Sequence, residues 1–314
     1  MATPTMKAVI CPKYGPPEVL QIKEIPIPTP KANEILVQVV ASPVNTADTR
    51  IRGLSVKGFM RFVMRLALGF TKPRQKVLGT IFSGIVVQTG DQVSRFQVGD
   101  KVFGSTGFKL KTNAEYVCLK GNGVISPKPA NASFEEAAAL PFGGQTAIYF
   151  LEKAKIKEKE NPTVLIYGAT GAVGCASLQI AKYYQAEVTA VCSSRGTALA
   201  KELGADHIFR YDQEDFTQTS KKFDIIFDAV GKTSKKICRP LLKPDGRFLT
   251  VEGMDVAAEK TEQLDLLRKL FETGLYQAVI DKIYPMEEVV AAHTYVDSGR
   301  KKGNVVLQIS KSDQ

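Results

Sequence analysis

The sequence predicts an α/β protein in which a doubly wound parallel sheet is inserted into a partly closed antiparallel β-barrel. Three observations predict it. A strand, a glycine turn and a helix start follow one another over residues 164–174, strand and helix then alternate as far as residue 251, and β-rich segments flank this region on both sides. The changes of pattern put the barrel at residues 1–127 and 275–314 and the inserted sheet at 128–274.

Of 314 residues, 44% are hydrophobic and 24% charged, the balance of a globular chain with apolar residues enough for a core. Lys and Arg number 42 against 32 Asp and Glu, and the net charge of +10 attracts anions in general. No basic run is interleaved with aromatics, which argues against a nucleic-acid partner. The start, Met1-Ala2-Thr3-Pro4-Thr5-Met6-Lys7, lacks a signal-peptide pattern and no stretch is long enough for a membrane span, so the expected location is the cytoplasm. Cys11, Cys118, Cys175, Cys192 and Cys238 are dispersed without a C-x-x-C pair. They read as buried or half-buried thiols rather than as disulfides or a zinc lobe.

Taken in order, β-rich runs at 7–11, 20–24, 34–41, 83–89, 101–103 and 115–119 are separated by turn residues such as Gly15-Pro16-Pro17, Gly90-Asp91 and Val98-Gly99-Asp100, which is a barrel pattern. Residues 58–70, apolar but for Arg61 and Arg65, interrupt it as a short amphipathic helix. This helix is a flap over a substrate pocket, a packing element of the barrel, or a weak membrane-surface or dimer contact. Helical pieces at 135–141 and 146–151 are expected to break at Pro141 and Gly143-Gly144.

The central stretch runs Val164-Leu165-Ile166-Tyr167-Gly168-Ala169-Thr170-Gly171-Ala172-Val173-Gly174. Gly171 and Gly174 hold the second and third glycine places of a dinucleotide fingerprint and Ala169 the first, which is acceptable where φ stays negative. Gly168, Ala169, Thr170, Gly171, Ala172, Val173 and Gly174 are therefore the expected pyrophosphate cradle, at the N–H end of a helix. The alternative is an ordinary buried strand–helix turn with packing glycines.

A second strand, 187–192, ends Cys192-Ser193-Ser194-Arg195 with no acid in that run. An acid there suits a free ribose hydroxyl, whereas Ser193, Ser194 and Arg195 suit a 2′-phosphate, so NADPH is the expected cofactor. For Arg195 the alternative is an exposed helix-start residue. A helix at 198–203, strands at 207–211 and 223–230, the turn Lys243-Pro244-Asp245-Gly246 and a strand at 247–251 continue the alternation. Val230 with Gly231, and Val251 with Gly253, end strands at the carboxyl edge of the sheet, where such a cofactor lies. Helices at 261–272 and 287–295 and a closing strand at 304–309 return the chain to the barrel.

Further segments occur in a specific order: Tyr14-Gly15-Pro16-Pro17-Glu18-Val19-Leu20, Pro43-Val44-Asn45-Thr46-Ala47-Asp48, Gly99-Asp100-Lys101-Val102-Phe103-Gly104, Ala114-Glu115-Tyr116-Val117, Ala137-Ala138-Ala139-Leu140-Pro141, Leu203-Gly204-Ala205-Asp206 and Phe227-Asp228-Ala229-Val230-Gly231. Together with the glycine turn they resemble the medium-chain dehydrogenase/reductase superfamily, and within it the zinc-free quinone oxidoreductase branch. The resemblance implies a GroES-like barrel with an inserted Rossmann domain, a homodimer, and hydride transfer from NADPH to a small apolar quinone or α,β-unsaturated carbonyl. It implies no metal. Asn45 falls in the region of the first ligand of zinc relatives, Gly79-Thr80-Ile81-Phe82-Ser83-Gly84 replaces their His-Glu segment, and His207 and His293 lie elsewhere. Relatives in the zinc-free branch usually carry an acid where this chain has Ile81.

By position, Asn45 is similar to a family asparagine near the nicotinamide and substrate, and is the candidate catalytic residue; the alternative is a turn-stabilising Asn. Thr146 resembles a threonine that contacts the nicotinamide ring or ribose, or else packs. Tyr211 matches a tyrosine beside the 2′-phosphate, and Asn304 is placed among the cofactor contacts. Arg50, where an aromatic is common, polarises a substrate oxygen or lies at the surface. No general acid stands out, so Asn45, backbone donors and water are left to stabilise the developing oxyanion. A second class of function is a nucleotide-binding redox sensor or crystallin-like binder with little turnover.

Overall fold

A computed structural model describes residues 3–55, 58–253 and 255–311. Met1 and Ala2, where the sequence is read for a signal peptide, lie outside it, as do the side chains of Phe59, Met60, Arg61 and Val63.

The expected strands of the first segment form as β1 (Thr5–Ile10), β2 (Gln21–Pro26), β3 (Glu34–Pro43), β4 (Ile81–Thr89), β5 (Lys101–Ser105), β6 (Tyr116–Lys120) and β7 (Ile125–Pro127), with helices α1 (Thr46–Gly53), α2 (Phe59–Leu68) and α3 (Phe134–Ala139). After α4 (Pro141–Lys153) come β8 (Thr163–Tyr167), α5 (Ala172–Tyr183), β9 (Glu187–Cys192), α6 (Thr197–Glu202), β10 (His207–Arg210), β11 (Phe223–Asp228), α7 (Lys235–Cys238), β12 (Leu242–Thr250) and α8 (Thr261–Glu272). The chain closes with β13 (Ile280–Pro285), α9 (Val289–Asp297) and β14 (Asn304–Gln308). Two compact units result, Met1–Pro141 with Ile280–Gln314, and Phe142–Val279. The first division falls later than the sequence pattern puts it because α3 packs on β3, β4 and β14.

In the first unit the strand order is β13-β14-β3-β4-β5-β7, with β6 also on β3. β3 is central: it runs antiparallel to β4, β6 and β14, and its Ile35, Val37 and Val39 are fully buried. They join Val9, Leu78, Phe82, Val102, Val305 and Leu307 in one core, where a fully buried side chain of this size contributes about 1.5–3 kcal/mol. The returning chain thus completes the barrel sheet through β14. On α2, Met64 and Leu68 pack against this core, while Phe62 and Leu66 keep 50% and 54% of their surface exposed.

The second unit is a parallel sheet of order β10-β9-β8-β11-β12. From β8 the chain winds outward through β9 and β10, then crosses back to β11 on the other side of β8. The reversal makes the carboxyl end of β8 the switch point, where open parallel sheets leave a crevice for a ligand.

Two local expectations are corrected. Gly143-Gly144 does not break the helix, since α4 starts at Pro141, a position that needs no N–H, and runs through both glycines. A Cβ at Gly143 would lie 2.5 Å from the Ala172 carbonyl oxygen, and one at Gly144 2.5 Å from Leu267 Cδ1, so the pair lets α4 approach α5 and α8. Likewise 243–246 is no free turn but a register shift inside β12, where pairing moves from Phe223↔Leu242 to Ile225↔Arg247.

Candidate active site

At the switch point, β8 ends and the chain turns at Gly168 with φ +78°. A side chain is strained in that conformation, and the demand falls on Gly168 rather than on Ala169, which is why alanine is tolerated at the first fingerprint place. The N–H groups of Gly168 and Ala169 donate to Val191 O at 2.9 and 3.1 Å and tie the turn to β9. A Cβ at Gly174 would collide with Gly168 O and lie 2.7 Å from Ala169 Cα, so α5 comes this close only as glycine. At Gly171 the opposite holds: an added Cβ meets only Gly168 O, at 3.7 Å. Gly171 is the N-cap of α5 and no side chain caps it, so the N–H groups of Ala172, Val173 and Gly174, which have no earlier carbonyl to bond, stand at an open end. This arrangement of donors and free space fits a pyrophosphate.

Beside it, Ser193, Ser194 and Arg195 follow β9, with Arg195 exposed, and Tyr211 follows β10. The Tyr211 N–H donates to Cys192 O at 3.0 Å, and its ring stacks on Tyr167, centroids 6.2 Å apart. The acid-free strand end is corrected here. Asp212, from the neighbouring strand, accepts the Ser194 N–H at 2.9 and 3.2 Å and its hydroxyl at 2.9 Å. Desolvation acts upward on this carboxyl, but the Ser194 bonds outweigh it and hold it below the ordinary carboxylate value.

On the other side of β8, Asp228 organises the end of β11. Fully buried, it accepts the N–H groups of Val230 at 3.1 Å, Gly231 at 2.9 Å and Thr233 at 3.0 Å, and the Val251 N–H donates to its backbone oxygen at 3.1 Å. Residues 168–174, 193–195, 211, 230–231 and 251–253 therefore share one edge of this sheet. The Thr146 hydroxyl, on α4, donates to Phe142 O at 2.7 Å, leaving its oxygen lone pairs.

In the first unit, Asn45 is the N-cap of α1 and only 3% exposed. Its backbone N–H donates to Asp48 Oδ2 at 2.8 Å, and the Gly79 N–H donates to Asp48 Oδ1 at 3.2 Å. Burial drives the Asp48 carboxyl up to about 6 against these bonds. The Ser42 hydroxyl lies 2.8 Å from Ile81 O, 2.9 Å from Asn113 Oδ1 and 3.0 Å from the Thr112 hydroxyl, and its one O–H donates to one of these at a time. Asn45 Nδ2 is buried and has no hydrogen-bond partner among the described residues. Ile81 is fully buried on β4. Asn304 is buried at the head of β14 in this same unit, and Arg50 is half-buried on α1.

Neither histidine stands with a metal-ligand set. His207 is exposed and 2.8 Å from Glu187, and His293 is buried 3.0 Å from Arg52. Among the described residues no three His, Cys, Asp or Glu side chains are placed to hold a metal ion, and no helix is long and apolar enough to cross a membrane. Sequence reasoning missed Asp48, Asp212 and Asp228. Asp48 and Asp228 lie in segments that carry the family resemblance, and Asp48 also stands three residues after Asn45 as in a capping box, whereas Asp212 offers no signal beyond its position after an apolar run.

The family model described as "Alcohol dehydrogenase GroES-like domain" matches residues 31–152, and that described as "Zinc-binding dehydrogenase" matches 172–281. The 2-methylene-furan-3-one reductase of Solanum lycopersicum is 32% identical over 321 residues, 96% of this chain and 79% of that protein. The chloroplastic NADPH-dependent alkenal/one oxidoreductase of Arabidopsis thaliana is 27% identical over the same shares. Among solved structures, the quinone oxidoreductase from Coxiella burnetii matches with a TM-score of 0.83 at 28% identity, covering 98% of this chain and all of that one. With the fold, the glycine turn and a similarity that runs the length of the chain in agreement, this chain belongs to the medium-chain dehydrogenase/reductase superfamily, in its quinone-oxidoreductase-like branch.

Proposed function

We propose that the chain is an NADPH-dependent, metal-independent reductase of small apolar quinones or α,β-unsaturated carbonyls, with Asn45 donating to the acceptor's oxygen. The observation that carries this reading is the Asn45 side chain. Its buried Nδ2 lacks an acceptor, at a cost of about 1–3 kcal/mol, on a helix end fixed by Asp48. A carbonyl oxygen that gains negative charge suits such a donor, because a preorganised amide stabilises charge as it develops. Nicotinamide, when bound, supplies the hydride. The open N–H groups of residues 172–174 hold the pyrophosphate, Arg195 and Tyr211 stand on the side of the 2′-phosphate, and the Asp228 loop lines the same edge. No side chain is assigned as proton donor; water and backbone N–H groups take that part. Metal independence rests on Asn45 and residues 79–84 standing where zinc relatives have ligands. The enone and quinone reductases among the relatives support the acceptor class.

Steady-state oxidation of NADPH with a quinone panel and an enal panel, before and after exhaustive chelation, tests the reading. Turnover unchanged by chelation is expected. Tight nucleotide binding with no turnover on either panel would favour the redox sensor or crystallin-like binder, and activity lost on chelation and restored by zinc would end the metal-free reading.

A further inference from the structure

Just beyond β10, Tyr211-Asp212-Gln213-Glu214-Asp215 places three exposed acids near the turn that ends β9. Two of them act locally. Glu214 accepts the Arg210 N–H at 2.9 Å and pairs with its side chain at 3.4 Å, and Asp215 accepts the N–H and hydroxyl of Thr217 at 2.9 and 2.7 Å. Asp212 instead reaches across to the neighbouring strand end and takes both donors of Ser194. Parallel pairing sets this up: Arg210 is in register with Cys192, and the Tyr211 N–H donates to Cys192 O, so the next residue arrives beside Ser194.

In a βαβ nucleotide unit the end of the second strand is where the adenosine ribose is read. We propose that Asp212 is a specificity-determining carboxylate that holds back 2′-phosphorylated nucleotides, by occupying the Ser194 donors a phosphate would use and by setting a negative charge in their place. A 2′-hydroxyl can donate to this carboxylate, whereas a 2′-phosphate is repelled by it. Arg195, on the same turn, pulls the other way. Asp212 and Arg195 together set the NADPH-to-NADH ratio, at a value below that of the basic turn alone. The inference rests on the reading of this sheet edge as the cofactor site.

Titration calorimetry on the full chain with 2′,5′-ADP and 5′-AMP tests it without turnover. Asp212→Asn and Asp212→Ala are each expected to strengthen 2′,5′-ADP relative to 5′-AMP by about fivefold or more, as loss of a like charge at contact distance allows. Asp212→Glu keeps the charge and is expected to stay within about twofold of the wild type. If both neutral variants leave the ratio within about twofold, the inference fails while the nucleotide site stands. If the wild type binds neither probe, the site reading fails and the inference with it.

Discussion

Asp48 holds Asn45 from a position with no solvent exposure, one carboxylate oxygen 2.8 Å from the Asn45 nitrogen and the other 3.2 Å from that of Gly79. Burial raises its pKa from 3.8 to about 6, opposed by the N–H groups of Asn45 and Gly79. A carboxyl raised in the folded chain binds its proton more tightly there than in the unfolded one. Its contribution to stability is therefore full below 3.8 and lost as pH rises through 6, a swing of about 3 kcal/mol. Asp48→Asn lacks this titration and loses one acceptor at every pH. In urea unfolding, the stability gap between wild type and variant is expected to narrow by about that amount from pH 4 to 7. A gap that stays constant would mean that Asp48 titrates as a solvated acid.

His293 carries the opposite sign. It is buried, its Nδ1 accepts from the Arg52 guanidinium at 3.0 Å, and Arg52 is held in turn by Asp297 and by Gly15 O at 3.2 Å. Desolvation first and the Arg52 charge second lower its pKa from 6.5 to about 3. The stability this contributes is present above 6.5 and lost as pH falls toward 3, at up to about 1.4 kcal/mol per pH unit. His293→Gln keeps an acceptor for Arg52 without a titrating ring. Its unfolding free energy is expected to fall less steeply than that of the wild type between pH 6.5 and 4, and parallel slopes would sink this assignment.

Much of the fold was legible because apolar runs and turn residues punctuate it. The helix expected at 261–272 is α8, and the closing strand expected at 304–309 is β14 within one residue. The glycine turn was legible too, since its spacing is local. What was not legible depends on contacts between distant residues. Gly143-Gly144 reads as a helix breaker until Ala172 and Leu267 are seen against it. Asp212 is 18 residues from Ser194 and meets it only through the pairing of β9 with β10. Asp228 falls inside the strand expected at 223–230, and nothing in that pattern shows that it binds three N–H groups of the loop that follows. The unpartnered Asn45 amide likewise has no signature in sequence, because burial is a property of the assembled barrel.

The helix α2 has a packed face and an exposed apolar one. Met64 and Leu68 touch the barrel core, whereas Phe62 and Leu66 remain about half exposed. Apolar surface left bare on one stripe suits a hydrophobic acceptor. Replacing Phe62 and Leu66 together by Ser is expected to raise KM for a bulky quinone more than for a small one, with unfolding free energy changed by no more than about 0.5 kcal/mol. Met64→Ala, on the opposite face, is expected to lose stability instead. Equal KM effects on both quinones, or a marked stability loss in the double variant, would make the whole helix a packing element.

Under the proposed reading, Arg195 is the charge that would favour a 2′-phosphate, because the Ser194 donors beside it are already bound by Asp212. A planar guanidinium makes charge-assisted bonds to a phosphate, and one well-formed bond of this kind is worth about 1.5–3 kcal/mol. Since about 1.4 kcal/mol corresponds to a factor of ten, a single such bond gives a preference for NADPH over NADH of about tenfold in kcat/KM, less whatever Asp212 takes away. The bond forms equally in the ground and transition states, as it is remote from the reacting carbon, so its loss is carried by KM. Arg195→Ala is therefore expected to raise KM for NADPH about tenfold, to leave kcat close to the wild-type value, and to leave NADH kinetics nearly unchanged. Steady-state kinetics with both cofactors at saturating acceptor check this. A variant weakened equally toward NADPH and NADH would show that Arg195 supports the turn rather than reading the 2′-phosphate.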